Sequence, residues 1–244
     1  RKGTGRIVYV STFGALLPTD QPVLGTDAPV GTATEPYLAS KAAGEVIARR
    51  HQDQGVPVVI SYPPGLLGPH DPNLGDQNRR LRDLLRGLMP MWPRGGFPIG
   101  DVRDTAALHA ALLTEPVNHN RVFAPGQYLT TQDYVRTVRA VTGRALPAVF
   151  LPARPMLPLG RMAGVLQRFW PWHIPAEYGA IYTCATAVPV DATAAPQREF
   201  ADTVADTVRW LLATGQVSAR AAGRALLSEM DSRVVSDQGG QPHR

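Results

Sequence analysis

Residues 7–12 read Ile-Val-Tyr-Val-Ser-Thr, and residues 35–41 read Glu-Pro-Tyr-Leu-Ala-Ser-Lys. The first stretch begins with a continuous apolar, β-branched run, which predicts a strand buried on both faces in a parallel sheet. The second opens a segment, residues 37–54, that is compatible with a helix, and residues 56–62 form another apolar run. Strand, helix and strand in this order predict a right-handed parallel crossover.

The predicted helix carries its own apolar pattern. A stripe at 3.6-residue spacing comprises Ala39, Ala42, Ala43, Val46 and Ile47. We expect an amphipathic helix to turn such a stripe toward the core.

The rest of the chain gives weaker signals. Prolines and glycines in residues 63–72 predict a long loop rather than another helix. Further elements are predicted as helices over residues 105–113, 131–141 and 202–212, and as a strand over residues 121–124. Residues 228–244 are polar and contain Gly and Pro, which predicts a disordered tail.

Composition excludes several classes of function. The single cysteine, Cys184, rules out an intrachain disulfide or a Cys-x-x-Cys site, and the six histidines lack metal-ligand spacing, so no metal is expected. The net charge is +5, but the arginines are scattered, so nucleic acid is not an expected partner. The sequence has no transmembrane run and no signal peptide, so a cytoplasmic location is expected.

Tyr37 and Lys41 stand one helical turn apart, so both side chains can point into one cleft. A free tyrosine has a pKa near 10 and exchanges protons near neutral pH only if its anion is stabilised. A nearby ammonium group and an oxidised nicotinamide ring would supply that positive field. The spacing alone can arise by chance, so its context decides the interpretation.

That context comes from residues 8–14 (Val-Tyr-Val-Ser-Thr-Phe-Gly), 35–41 and 62–69 (Tyr-Pro-Pro-Gly-Leu-Leu-Gly-Pro). Together they resemble the extended short-chain dehydrogenase/reductase family, which includes NAD-dependent epimerases and dehydratases and dihydroflavonol reductases. Residues 101–104 (Asp-Val-Arg-Asp) also resemble an element of its substrate lobe. The resemblance covers roughly residues 6–215 and implies an α/β fold: the C-terminal part of a doubly wound parallel-sheet (Rossmann) domain plus a smaller mixed α/β substrate lobe.

The resemblance implies an NAD(P)-dependent oxidoreductase or epimerase that moves a hydride between nicotinamide and a hydroxyl or carbonyl carbon of a small molecule. Tyr37 is then the acid/base, Lys41 orients the ribose and lowers the Tyr37 pKa, and Thr12 holds the substrate oxygen. Side chains alternate along a strand, so Ser11 competes with Thr12 for the cleft; we favour Thr12. The residues expected to contact NAD or NADP are Ser11, Tyr37, Lys41, Pro63, Pro64, Gly65 and Leu66.

Two departures from the family pattern affect this interpretation. Tyr62 stands where many members carry arginine, which leaves the substrate's charge open. The Gly-rich pyrophosphate turn is absent, so we expect that roughly the first hundred residues of the Rossmann half are missing and that the chain alone binds dinucleotide poorly. The predicted division is a partial cofactor domain over residues 1–72, a mainly substrate-binding lobe over 73–227 with segments returning to the first sheet, and the tail.

Other interpretations stay open. The protein could be a non-catalytic dinucleotide sensor or an inert truncated fragment. The substrate could be a nucleotide-sugar, with Arg79, Arg80, Arg82 and Arg86 clamping its phosphates, but we favour a solvated helix face for these arginines. Residues 152–175 are apolar and aromatic and could be core, line a pocket for a lipophilic alcohol or ketone, or contact a membrane. A homodimer is possible by resemblance.

Overall fold

The computed structural model describes residues 5–116, 119–158, 178–192 and 196–223. Its strands are β1 (Ile7–Val10), β2 (Val58–Tyr62), β3 (Gly65–Leu67), β4 (Met91–Arg94), β5 (Gly96–Asp101), β6 (Arg121–Phe123), β7 (Gln127–Thr130) and β8 (Val149–Pro152). Its α-helices are α1 (Pro36–Asp53), α2 (Asp76–Leu85), α3 (Val102–Thr114), α4 (Thr131–Thr142), α5 (Tyr178–Thr186), α6 (Phe200–Ala213) and α7 (Ala219–Ala222), and a 3₁₀ helix spans Phe13–Leu16.

The described strands form three small sheets in an α/β fold. The first is parallel with strand order β1-β2-β6, so the predicted parallel pairing of the first two strands is confirmed. In the second, β5 lies between β3, which is parallel to it, and β7, which is antiparallel. The third is the parallel pair β4-β8. Because β6 returns to β2 after the second sheet has begun, the chain crosses between the two sheets more than once.

One large hydrophobic cluster connects the first sheet with the strands and helices of the other two sheets. It contains Ile60 and Tyr62 from the first sheet as well as aromatic side chains from the later elements. Tyr134 is fully buried at its centre, with ring centroids 5.5 Å from Trp92 and 5.4 Å from Phe200. Burial of such large side chains is the dominant favourable term in folding. The first sheet and the later elements therefore stabilise each other through this shared core.

The prediction for the buried face of α1 is wrong. Ala43, Val46 and Ile47 are exposed, and the latter two retain 45% and 54% of their accessible surface. The helix instead buries a face that comprises Leu38, Ala42, Glu45 and Ala48. A stripe of small apolar residues gives a weak orientation signal, whereas a buried carboxylate with fixed partners determines which face turns inward.

The predicted burial of β1 on both faces is also wrong. Ile7 and Val10 retain 45% and 50% of their accessible surface, whereas every residue of β2 is buried. The reason is position: within the described residues, β1 pairs only with β2 and stands at the edge of the sheet, while β2 lies between β1 and β6.

Residues 63–72 are not the uninterrupted loop that their prolines predict. They contain β3, and α2 follows shortly after. The later predicted helices and the strand near residue 121 are confirmed, with bounds that differ by a few residues. The apolar segment 152–175 falls largely outside the described residues, and the predicted tail lies wholly outside them. No helix in the described residues has both the length and the apolar character required to cross a bilayer.

Asp101 joins α3 to α6. Its carboxylate accepts hydrogen bonds from the Arg103 backbone (2.8 Å) and guanidinium (2.6 Å) and from the Thr203 hydroxyl (2.8 Å), and Arg103 also pairs with Asp206 at 2.8 Å. Burial alone would raise the pKa of Asp101, but these hydrogen bonds outweigh it and hold the pKa below its ordinary value.

We therefore expect Asp101→Asn to lower the free energy of unfolding by about 2 kcal/mol at pH 7. Because the native pKa is depressed, this stabilisation is complete above the unfolded pKa of about 3.9 and is lost as the pH falls through the native value. Urea unfolding of both proteins at pH 7 and near pH 3 should show the difference shrinking. A difference that stays constant with pH would contradict the role of the charge.

Candidate active site

Ser11 and Thr12 follow β1 and have different surroundings. Ser11 is buried, and its hydroxyl donates a 2.7 Å hydrogen bond to Oε2 of Glu45. Thr12 is half-buried, and its Oγ1 accepts the Gly14 N–H at 3.2 Å as the cap of the 3₁₀ helix. The Ser11 hydroxyl is thus occupied within the core, which gives no support to its predicted contact with the cofactor. Thr12 remains the candidate for contact with a substrate oxygen.

Gly14 lets the loop after β1 pack closely against the first turn of α1. A Cβ at Gly14 would lie 2.7 Å from Cδ2 of Leu38 and 3.6 Å from Oγ1 of Thr12. The Thr12 hydroxyl therefore lies beside the helix turn that carries Tyr37. The sequence separation between Thr12 and Tyr37 is long, but the fold brings them to the same end of the first sheet.

Tyr37 and Lys41 lie on α1 as their spacing predicts. The helix begins after Glu35, whose carboxylate accepts the Leu38 N–H at 2.8 Å, with Pro36 in the first helical position. The Lys41 ammonium lies 5.5 Å from the centroid of the Tyr37 ring, and Tyr37 is 57% exposed. Among the described residues, nothing hydrogen-bonds to the Tyr37 hydroxyl or the Lys41 ammonium, so both remain available to a ligand.

The protein groups around Tyr37 raise its pKa above the ordinary value. Partial burial is the main cause, followed by the negative charges of Asp76 and Glu35. The predicted lowering of this pKa by Lys41 is therefore not produced by the described side chains alone. A positively charged ligand next to the hydroxyl would have to supply the remaining field.

Glu45 fixes the orientation of α1. The side chain is fully buried, and Oε1 accepts hydrogen bonds from the Tyr62 hydroxyl at 2.6 Å and from Arg49 Nε at 2.8 Å. Oε2 accepts the bond from Ser11, so one carboxylate connects the carboxyl ends of β1 and β2 to the helix. Sequence reasoning missed this residue; the available signal was its i, i+4 spacing to Arg49 in the helix that bears Tyr37.

Residues 63–66 divide between contact with the site and packing. The Pro63 carbonyl accepts the Phe13 N–H at 3.4 Å, next to Thr12. The Pro64 ring is enclosed: a Cβ at Gly100 or Gly126 would lie 2.9 or 2.8 Å from its Cγ. This enclosure makes Pro64 a packing residue rather than a surface open to cofactor. Gly65 and Leu66 belong to β3 and are half-buried, and their predicted cofactor contacts stay predictions.

The four arginines near residue 80 lie on α2 or at its end, and each has a partner within the protein. Arg82 pairs with Asp83 at 2.8 Å, and Arg86 donates to the Gln216 carbonyl. Arg79 donates to the Leu74 carbonyl at 3.3 Å. Arg80 stacks at 5.3 Å from the Phe97 ring centroid. The arrangement favours a structured helix face over a preformed phosphate clamp.

A cavity of about 210 Å³ lies between α2, β4 and α5. Its lining includes Met89, Trp92, Phe97, Ile181 and Cys184. Sequence reasoning did not identify it, because the walls come from segments about ninety positions apart that only the tertiary fold assembles. Within the described ranges, no three acidic, histidine or cysteine side chains are grouped so as to hold a metal ion.

The exposed face of α1 fits the nicotinamide-ribose end of a dinucleotide. Lys41 presents three N–H donors of the kind that ribose hydroxyls accept, and Tyr37 stands beside it, its hydroxyl bonded to none of the residues that the structure describes. Among the described residues, we find no glycine-rich turn leading from a strand into a helix, the arrangement that cradles pyrophosphate. The described residues therefore offer contacts for the nicotinamide-ribose end of the cofactor but no turn of the kind that holds its pyrophosphate.

Comparison with known proteins gives a consistent set of relatives. A family model described as the NAD dependent epimerase/dehydratase family matches residues 1–125, just over half of the chain. No curated protein matches the sequence. Solved structures do match, at identities that establish the fold alone.

A nucleoside-diphosphate-sugar epimerase from Pseudomonas aeruginosa superposes with a TM-score of 0.67 at 21% identity, over 87% of this chain and 68% of that one. A UDP-glucose 4-epimerase from Stenotrophomonas maltophila, solved with bound NAD, gives 0.60 at 14% identity, over 88% and 65%. Vestitone reductase from alfalfa gives 0.57 at 15% identity, over 88% and 67%. The chain thus spans about two thirds of the length of these proteins.

We expect Glu45→Ala to lower the free energy of unfolding by roughly 3 kcal/mol, because it leaves the half-buried Arg49 charge and the buried Tyr62 hydroxyl without their acceptor. Urea denaturation monitored by circular dichroism measures the loss. Asp53→Ala, an exposed carboxylate removed from the same helix, is the control and should change stability by less than about 0.5 kcal/mol. Equal losses of stability in the two variants would show that the hydrogen bonds of Glu45 contribute no more to the free energy of unfolding than an exposed carboxylate does.

Proposed function

Because the chain belongs to the NAD dependent epimerase/dehydratase family, we propose that it carries the catalytic side chains of an enzyme that moves a hydride between a nicotinamide and a hydroxyl or carbonyl carbon. The observation that supports this most directly is the geometry of α1. Tyr37 and Lys41 lie together on its exposed face with no partner among the described residues, and Thr12 lies beside the same helix turn.

The proposed roles follow from the functional groups. The Thr12 hydroxyl hydrogen-bonds to the oxygen of the reacting carbon and holds it near Tyr37. In the oxidising direction, the Tyr37 oxygen, as its anion, takes the proton from the substrate hydroxyl; in the reducing direction, it returns that proton to the carbonyl oxygen. A bound nicotinamide, NAD or NADP, would supply the acceptor or donor of the hydride at that carbon.

Lys41 has two proposed roles. Its ammonium donates hydrogen bonds to the ribose, and its charge stabilises the Tyr37 anion. The second role is needed because burial, Asp76 and Glu35 all raise the pKa of Tyr37. We infer that Tyr37 is neutral before the cofactor binds and becomes an effective base once Lys41 and the oxidised ring act on it together.

Tyr37→Phe should reduce turnover by at least about a hundredfold, because it removes the proton acceptor, whose contribution is typically about 10²–10⁴-fold. The Kd for the dinucleotide should change by less than about threefold, since the ring and Lys41 remain. Turnover is measured in steady-state assays with nucleotide-sugar and lipophilic ketone substrates. The Kd is measured by fluorescence titration of the full-length protein with NADH.

The matched control for this substitution is Tyr182→Phe. Tyr182 is half-buried and lies on α5, and, as for Tyr37, burial is the main cause that raises its pKa, with Tyr178 and Glu35 contributing. Its variant should keep near-normal turnover. A Tyr37→Phe protein that turned over at the normal rate would remove Tyr37 from the chemistry.

Lys41→Met should move the rising limb of the pH profile for substrate oxidation to higher pH. Without the ammonium, the Tyr37 anion is less stable, so a higher pH is needed to form it. The measurement is kcat against pH at saturating cofactor, compared with the normal protein. A lower rate with an unmoved profile would limit Lys41 to ribose binding.

A further inference from the structure

The cavity between α2, β4 and α5 shares a helix and a carboxylate with the surroundings of Tyr37. Asp76 lines the cavity, and its negative charge contributes, after burial, to the raised pKa of Tyr37. On the other side, α5 packs against Glu35, two residues before Tyr37: a Cβ at Gly179 would lie 3.3 Å from the Glu35 carboxyl carbon. The helix that supplies Ala180 and Ile181 to the cavity wall therefore also contacts the start of α1.

The interior of this cavity is apolar. Its wall includes Met89, Met91, Trp92, Phe97 and Ile181. Trp92 is 2% exposed, and its indole N–H is satisfied by the Met89 carbonyl at 2.9 Å, so the ring presents carbon to the cavity rather than an open donor. Flexible thioethers and aromatic rings adapt to an apolar ligand without unmet hydrogen bonds.

The charged groups at the cavity do not form an anion site. Two arginines, Arg79 and Arg80, are balanced by two carboxylates, Asp76 and Asp83. Arg80 is stacked on Phe97, and Asp83 is paired with Arg82. A diphosphate bound in this cavity would share it with both carboxylates, and the repulsion between its negative charge and theirs would oppose binding.

We propose that this cavity binds the neutral, lipophilic body of the substrate, so that the molecule presented to Tyr37 is an apolar alcohol or ketone rather than a nucleotide-sugar. The size agrees: a cavity of about 150 Å³ accommodates one benzene ring, so 210 Å³ accommodates one aromatic ring with a short substituent. The inference that this molecule reacts rests on the function proposed above, whereas the inference that the cavity binds it does not.

The test measures binding directly. The probe is 4-phenylbutan-2-one, a neutral aryl ketone, titrated calorimetrically into the full-length protein, with uridine diphosphate titrated in parallel. We expect the ketone to bind and uridine diphosphate to bind at least tenfold more weakly. Ala180→Phe, which projects a ring into the cavity, should weaken ketone binding by at least tenfold.

The matched control is Ala185→Phe. Ala185 lies on the same helix with similar exposure but does not line the cavity, so ketone affinity should stay within about twofold. If Ala180→Phe fails to fold, Met91→Lys replaces it, since Met91 lines the cavity and is 60% exposed. A charged amine at that position should also weaken ketone binding severalfold.

The outcomes separate this inference from the proposed function. The lipophilic site would be overturned if Ala180→Phe and Met91→Lys both left ketone binding intact. It would also be overturned if uridine diphosphate bound more tightly than the ketone and Ala180→Phe abolished that binding. Either conclusion would hold even if hydride transfer is found. Ketone binding that Ala180→Phe abolishes would support the site even if Tyr37→Phe proves to have no effect on turnover.

Discussion

A buried carboxylate, that of Glu45, is the constraint on which the position of the helix bearing Tyr37 and Lys41 depends. Taking a carboxylate out of water is costly unless each oxygen has partners. Ser11, Tyr62 and Arg49 supply them, and two of these stand at the carboxyl ends of neighbouring parallel strands. Rotation of α1 would break the contacts with Ser11 and Tyr62, which lie outside the helix, whereas the Arg49 pair lies within it. The face that bears Tyr37 and Lys41 is therefore held at the end of the sheet by an interaction about one turn from Lys41 and about two turns from Tyr37.

This network also explains the unusual residue before the Pro-Pro pair. Tyr62, where related sequences often carry arginine, is fully buried, and burial followed by its hydrogen bond to Glu45 raises its pKa strongly, so it stays a neutral donor. The cation comes instead from Arg49 on the helix, which also donates to the Tyr62 hydroxyl at 3.2 Å. Position 62 thus takes part in the core of the structure, where its hydroxyl is held by Glu45 and Arg49.

The sequence predicts the part of the fold that follows regular periodicity. The first two strands, α1 and the later amphipathic helices form where their apolar patterns predict them, although the burial of β1 and the buried face of α1 differ from those patterns. It does not predict β4 and β5, because each contains a proline and is stabilised by strand partners distant in sequence. For the site, spacing identifies Tyr37, Lys41 and Thr12. Glu45 and the cavity walls escape prediction, because burial and proximity are tertiary properties that no local window contains.

The walls of the cavity have different origins in the chain, and this has an evolutionary consequence. One wall belongs to α2 and β4, which also pack into the central core, but the other is α5, a helix of nine residues. Side chains of α5 that face the cavity, such as Ala180, can be exchanged without altering Glu45 or the strands that hold Tyr37. Selection can therefore reshape the cavity through this short helix while the face of α1 that bears Tyr37 and Lys41 stays constant, which makes the shape of the cavity and the position of Tyr37 separately heritable traits.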